Sequence, residues 1–502
     1  MLTKNNTNKN KSNINNKTHK NNQIKKNYSS TKKHNHGLFI FHRDFRIKDN
    51  LGLFHAASQC AHVYTCFIFT PEQATDKNRF KSQNAVQFMI ESLAELQRDI
   101  LGQHGKLIVL YGEHDTMVDK LIKELDINCV FFNRDYTPYS QKRDQDIMKL
   151  CENRGISCES SQDYYLQEPG SVKNGQGGYY HKFNAYYGTM LRLKVAEPIR
   201  INVANFAKSG KTIPGQITLD QAMSKFVENP NPEILVRGGR ELGLKRLKMA
   251  TNAQKDYDEK RDILNRQTTL LSAYIKFGCI SIREVYHTIL AKFGRNHGII
   301  RELIWRDFFA HLLFAYPDML GHSYNPHFEK IQWVSPELKD NNTDWLHRWK
   351  TGTTGFPVVD ACMRELNHTG YMHNRGRMVV ANFLVKTLLL DWRDGELYFA
   401  QQLTDYDVAS NNGNWSSIVG GGAYAMPYFR VMNPWIQSEK FDKEGEYIKK
   451  WVPELNEVLP KDIHQWLNAD LRKKYTDIKY PEPMVDYQEQ KKKVMALYKK
   501  YL

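Results

Sequence analysis

The sequence predicts two differently built halves: a doubly wound, mostly parallel α/β domain, then a long connector and an all-α domain. Three observations predict this. Short apolar runs rich in β-branched and aromatic residues alternate with helix-length stretches between about 37 and 164. Residues 165–219 are punctuated by Gly and Pro and hold no persistent period. From about 220 to 502, apolar residues recur at helical spacing. With 41% hydrophobic and 25% charged residues in 502, the chain can bury two substantial cores.

Residues 1–36 carry nine lysines, eleven asparagines and no acid. Such a low-complexity basic tail buries too little apolar area to offset its ordering entropy, so it is expected to be disordered. It holds nine of the +16 formal charges, leaving +7 on the other 466 residues. A solvated extension is the better reading of the tail; attraction to nucleic acid or a localisation signal is the sharper one. Strands are expected at 38–42, 63–69, 107–111 and 129–133, with helices near 84–101, 115–125 and 139–153. No G-x-G-x-x-G or Walker sequence marks a phosphate loop. Later helices are expected at 237–250, 258–276 and 299–315.

No apolar run approaches the roughly 18–20 residues of a membrane span, and the tail lacks the apolar stretch of a secretory signal. Seven scattered cysteines make no C-x-x-C pair, so neither a disulfide scaffold nor a metal site is expected. These features predict a soluble intracellular protein, of cytoplasm or nucleus.

Chemistry concentrates after residue 302. Glu302, Trp305 and Arg306 fall at i, i+3 and i+4, where a carboxylate, a flat ring and a cation share one helix face. Spacing alone favours a surface acid and arginine beside a core tryptophan. The stretches 355–366, 370–378, 391–399 and 405–415 crowd Asn, Asp and Arg among apolar runs, which suggests a polar pocket. All nine tryptophans lie in the final 198 residues. Each one alone is best read as packing; as a set they make stacking or electron movement worth testing.

The blocks 37–50, 302–309, 355–378, 391–415 and 427–453, above all Met426-Pro-Tyr-Phe-Arg-Val-Met-Asn-Pro434, resemble the photolyase/cryptochrome flavoprotein family. The pattern is most similar to class I-like cyclobutane pyrimidine dimer photolyases. The resemblance implies FAD in the helical domain and repair of pyrimidine dimers in DNA by blue-light electron transfer from excited reduced FAD, carried out by a monomer. It implies FAD contacts at Tyr257, Thr268, Thr269, Leu270, Leu271, Ser272, Arg377, Asp405, Tyr406, Asp407 and Asn411, the last facing flavin N5. Trp415, Trp392 and Trp333 match the electron-transfer chain. Glu302 and Asn374 match catalytic positions, while Trp305, Arg306, Asn374, Arg375, Met378, Arg430 and Gln437 match positions that meet the lesion or DNA.

Two departures stand out. Ser417 occupies the place of a second stacking tryptophan in many dimer photolyases. Thr137 and Leu320-Gly321 replace the folate contacts of some relatives, so a second antenna chromophore is of open identity: a deazaflavin, a second flavin or none. A cryptochrome photoreceptor, a (6-4) photolyase or a single-strand-preferring photolyase are the alternatives.

Overall fold

Phe39 and Phe41 point to one side of their strand and Leu38 and Ile40 to the other, and all four are buried. Such continuous apolar runs suit strands covered on both faces. In the computed structural model, which describes residues 32–334, 345–423, 427 and 429–501, five strands form one parallel sheet. They are β1 (His34–Phe41), β2 (Cys60–Phe69), β3 (Leu107–Tyr111), β4 (Cys129–Asn133) and β5 (Ser157–Ser161), in the order β3-β2-β1-β4-β5. The order reverses between β1, which pairs Leu38 with Val130, and β4. A ligand crevice is expected there, beyond the strands' carboxyl ends.

The sequence reading missed β5. Its residues Ser-Cys-Glu-Ser-Ser are polar, but an edge strand needs only backbone pairing, here Val130 opposite Cys158. β1 also begins at His34, inside the segment assigned to the tail. Backbone pairing of His34 with Cys60 and His36 with His62 extends it without apolar side chains. Residues 1–31, most of that tail, lie outside the described residues.

The connector docks on both halves. Val63 bridges Phe206, and Phe183 opens a short helix, Phe183–Met190, against the helix Gly298–Ala315. The helix expected over 258–276 is broken. Only Tyr257–Lys260 and Ser272–Lys276 are helical, because Leu270 takes a left-handed φ of 53°. One core runs from Phe41, Phe45 and Phe88 through Phe277 to Phe308; a second gathers Trp349, Phe356, Val380, Trp392 and Trp415.

Buried ions pin the junction. Arg283 donates to both carboxylate oxygens of Asp49 (3.2 and 3.1 Å) and to Asp163 (2.7 Å), which also pairs with Arg46. No helix among the described residues is long and apolar enough to cross a membrane.

Candidate functional site

Asp405 and Asp407 flank the start of the helix Val408–Val419, and Asp407 caps it by accepting from Ser410 N–H (3.0 Å). The Arg377 guanidinium forks onto Asp405 (3.1 and 3.0 Å) and donates Nε–H to the Met372 carbonyl. Arg43, from beyond the carboxyl end of β1, lies 3.6 Å from Asp407 and 2.6 Å from Asp135. Burial pushes the Asp407 carboxyl up, but Arg43, then Arg306 and Lys276, outweigh it and hold it below the ordinary value.

The Asn411 amide is already oriented. Its Nδ2 donates to the Glu396 carbonyl (3.1 Å) and to Glu396 Oε1 (3.0 Å), leaving Oδ1 as the group offered to a ligand. Tyr406 stacks against Phe80, rings 6.5 Å apart.

The expected phosphate-binding segment is non-helical where a ligand would meet it. Tyr257, Leu270 and Leu271 are buried, Ser272 is exposed, and Thr269 Oγ1 accepts from Leu271 N–H (3.4 Å). Thr268 Oγ1 lies 3.4 Å from the Tyr371 hydroxyl. A left-handed leucine costs of order 1–3 kcal/mol, and such backbone clusters at ligand clamps. Beside it a cavity of about 420 Å³ is lined by Arg266, Thr268, Leu270, Tyr371, His373 and Lys450 among others. Buried His373 Nε2 has no hydrogen-bond partner. Hydroxyls and cations at one end, with two acid–arginine pairs and an amide nearby, fit the phosphates and ring system of FAD.

Two adjacent residues tie the expected lesion face together. Arg261 pairs with Glu302, and Asp262 pairs with Arg375 at 2.8 Å. Arg375 also lies over the Phe441 ring at 4.5 Å. Burial raises the Glu302 carboxyl, against the pull of Arg261. Trp305, on the same helix, is half-buried and parallel to Phe183 with ring centroids 3.4 Å apart. Asn374 is exposed at the first turn of the helix Asn374–Asn382, and Met378 is half-buried on that helix. Arg430 is exposed; Gln437 lies half-buried on the helix Pro434–Phe441.

Arg306, on the same helix as Glu302, does not share its exposure. It turns inward, donating Nη1–H to the Tyr164 carbonyl (2.7 Å) with its guanidinium 4.4 Å from the Tyr165 ring centroid. Sharing a helix face with Glu302 did not place it at the surface, because the connector covers that end of the stripe.

Trp415 and Trp392 are buried and Trp333 is half-buried. Trp415 meets Phe399 (5.1 Å between centroids) and Trp349 (6.3 Å), both edge-on. Gly395 permits this packing, since a Cβ there would fall 2.2 Å from the Trp415 ring. Ser417 is buried and donates Oγ–H to the Gly413 carbonyl (2.6 Å). Sequence reasoning missed Arg43, Arg261, Asp262, Trp349 and Glu396 as members of the site. Beyond the carboxyl end of β1, the His42 and His114 rings are 5.5 Å apart. Burial holds both imidazoles far below their ordinary value, His114 at about 3, and His42 Nε2 and His114 Nδ1 are unpartnered.

Comparison with known proteins matches residues 38–200 to the DNA photolyase family model and residues 299–500 to the FAD binding domain of DNA photolyase. The deoxyribodipyrimidine photo-lyase of Escherichia coli (strain K12) is 34% identical over 480 residues, 92% of this chain and 98% of that protein. An archaeal photolyase from Sulfolobus tokodaii, solved with two FAD molecules, is 39% identical with a TM-score of 0.81, covering 93% of this chain and all of the other. A Synechocystis sp. PCC6803 cryptochrome is 25% identical with a TM-score of 0.82 over the same shares. Its helical half is an FAD-binding domain, and the chain belongs to the photolyase/cryptochrome flavoprotein family.

Proposed function

We propose that this protein is a blue-light-dependent lyase that binds FAD and splits cyclobutane pyrimidine dimers in DNA. The observation that carries it is the 261–262 clamp, which gathers Glu302 and Arg375 from separate helices around one mouth, with Trp305 one turn along from Glu302. When bound and reduced, FAD supplies the light-driven electron chemistry. Asp405, Asp407 and Asn411 orient the ring system, and residues 268–272 hold the phosphates. Asn374, Arg375 and Met378 face the extruded dimer, which must leave the helix stack to reach a buried ring. Arg430 and Gln437 meet the DNA backbone and set position rather than lesion choice. A second chromophore is supported by likeness to the Sulfolobus tokodaii photolyase, which was solved with two FAD molecules. Seven free thiols suit a reducing intracellular compartment.

The test is to reduce the purified protein, illuminate it with dimer-containing DNA and follow thymine recovery. Recovery absent despite bound reduced FAD favours the photoreceptor reading instead.

Two variants probe the lesion face. Trp305→Ala is expected to weaken binding of dimer-containing DNA by roughly 1–3 kcal/mol, the usual worth of one base–aromatic stack, read from Kd at fixed salt. Unchanged affinity removes Trp305 from the lesion face.

Glu302 gives a pH signature. A protonated carboxyl donates a hydrogen bond to the dimer and an ionised one cannot, so recovery per photon should fall as pH rises through its raised value. Glu302→Gln donates at every pH and should flatten the profile, while Glu302→Ala lowers recovery throughout. A Gln variant that keeps the wild-type profile discards this role.

A further inference from the structure

Arg43 belongs to the α/β half, yet its guanidinium is shared across the junction. Nη2 donates to Asp135 (2.6 Å) and to the Tyr165 hydroxyl (3.0 Å), and Nη1 lies 3.6 Å from Asp407. The cation also sits over the rings of Tyr164 (4.6 Å) and Tyr165 (5.6 Å). Asp135, Tyr165 and Asp407 all draw on the two Nη groups of this one guanidinium, while its buried Nε has no hydrogen-bond partner among the described residues. The planar guanidinium turns a separate nitrogen to each carboxylate, Nη2 to Asp135 and Nη1 to Asp407, a fixed geometry that a compact ammonium lacks.

Lys276, at the end of Ser272–Lys276, faces the same acid. Burial, with repulsion from Arg43, lowers its ammonium to about 8, against the pull of Asp407, Asp135 and Asp405. Arg306 is the third cation acting on Asp407. Asp405 is neutralised separately by Arg377. Arg43 is thus within ion-pair reach of Asp407, and Arg306 and Lys276 add positive charge from farther away, in a largely buried setting where solvent screens them little.

We infer that Arg43 is a positioning residue for the flavin: it fastens Asp407 to the α/β half and, with Lys276, keeps positive charge beside the ring system, favouring its reduced, anionic form. This rests on the reading above that Asp407 lies against the flavin. A cation near a group that gains negative charge stabilises the charged form.

The experiment is a redox titration of FAD bound to the full chain, with thermal melts in parallel. Arg43→Gln should make the bound flavin harder to reduce. At the potential where the wild type is half reduced, the reduced-to-oxidised ratio should fall at least tenfold, about 30 mV for a two-electron couple. Arg43→Lys should recover part of the shift by restoring charge, and Lys276→Gln should move the potential the same way by less. Asp407→Asn should move it oppositely. A folded, FAD-loaded Arg43→Gln protein with an unmoved potential overturns the inference, even if its melting temperature drops. If that variant loses FAD, Lys276→Gln decides, and an unmoved potential again overturns it. An Asp407→Asn protein with unaltered flavin absorption and potential removes Asp407 from the flavin, and the inference fails with that reading. If Asp407→Asn shifts the potential while Arg43→Gln and Lys276→Gln do not, the inference alone fails.

Discussion

Replacing Arg283 with alanine should destabilise the protein by about 3–5 kcal/mol, the range for removing one partner of a buried ion pair. Arg283 binds Asp49 through its side chain and its carbonyl (2.8 Å), and reaches Asp163 as well. Without it, the Asp49 carboxylate loses its ion pair and Asp163 keeps only Arg46, whose Nη groups also serve the Gly278 and Asp49 carbonyls. Asp49 keeps the Ile199 N–H (2.8 Å) and Asp163 the Leu51 N–H (3.3 Å), which do not replace a forked cation. Lysine at 283 restores the charge but not the fork, so its loss should be intermediate. Urea unfolding followed by tryptophan emission is the measurement, and it reports the helical half because every tryptophan lies at or after position 305. A loss below about 1 kcal/mol, the ordinary worth of a surface pair, shows that the network does not hold the halves together.

Trp415→Phe should abolish light-driven reduction of oxidised FAD yet spare repair by enzyme reduced chemically beforehand. The two processes use different electrons, so one ring can be lost from the first without touching the second. Indole gives up an electron far more readily than phenyl, and Trp415 is buried deep in the helical half. Phenylalanine keeps most of the contact with Phe399 and Trp349, which limits the packing loss. Trp392→Phe should act alike if the path runs Trp415, Trp392, Trp333. Flavin absorbance under blue light with an external reductant gives the rate. Wild-type photoreduction in both variants removes the proposed chain.

The strands of the sheet interior were legible because both faces are buried, which leaves a continuous apolar run in the chain. β5 was not, since its Ser-Cys-Glu-Ser-Ser run is polar and held by backbone pairing, unlike the apolar edge strand β3. The break at Leu270 was hidden because leucine carries no signal for a left-handed backbone. Among candidate site residues, the acids and tryptophans could be read from their motif blocks. Arg43, Arg261 and Glu396 could not: each takes its meaning from a partner brought near only by tertiary packing. The covering of Arg306 by Tyr164 and Tyr165 was not legible either, because helical spacing gives the face of a residue but not what packs on that face.

The core shared between the halves bears on how the chain is made. Phe45 and Phe88 of the α/β half are covered by Phe277, which stacks on them at 6.1 and 5.3 Å, and Tyr274 lies 5.2 Å from Phe88. A ribosome moving at about 5–20 residues per second therefore completes the sheet on the order of 10 s before it delivers that cover. Through that interval the nascent sheet domain presents bare aromatic surface, a natural landing place for a chaperone that binds emerging chains. A chain truncated near residue 164 would carry the same exposed surface permanently and should aggregate rather than fold.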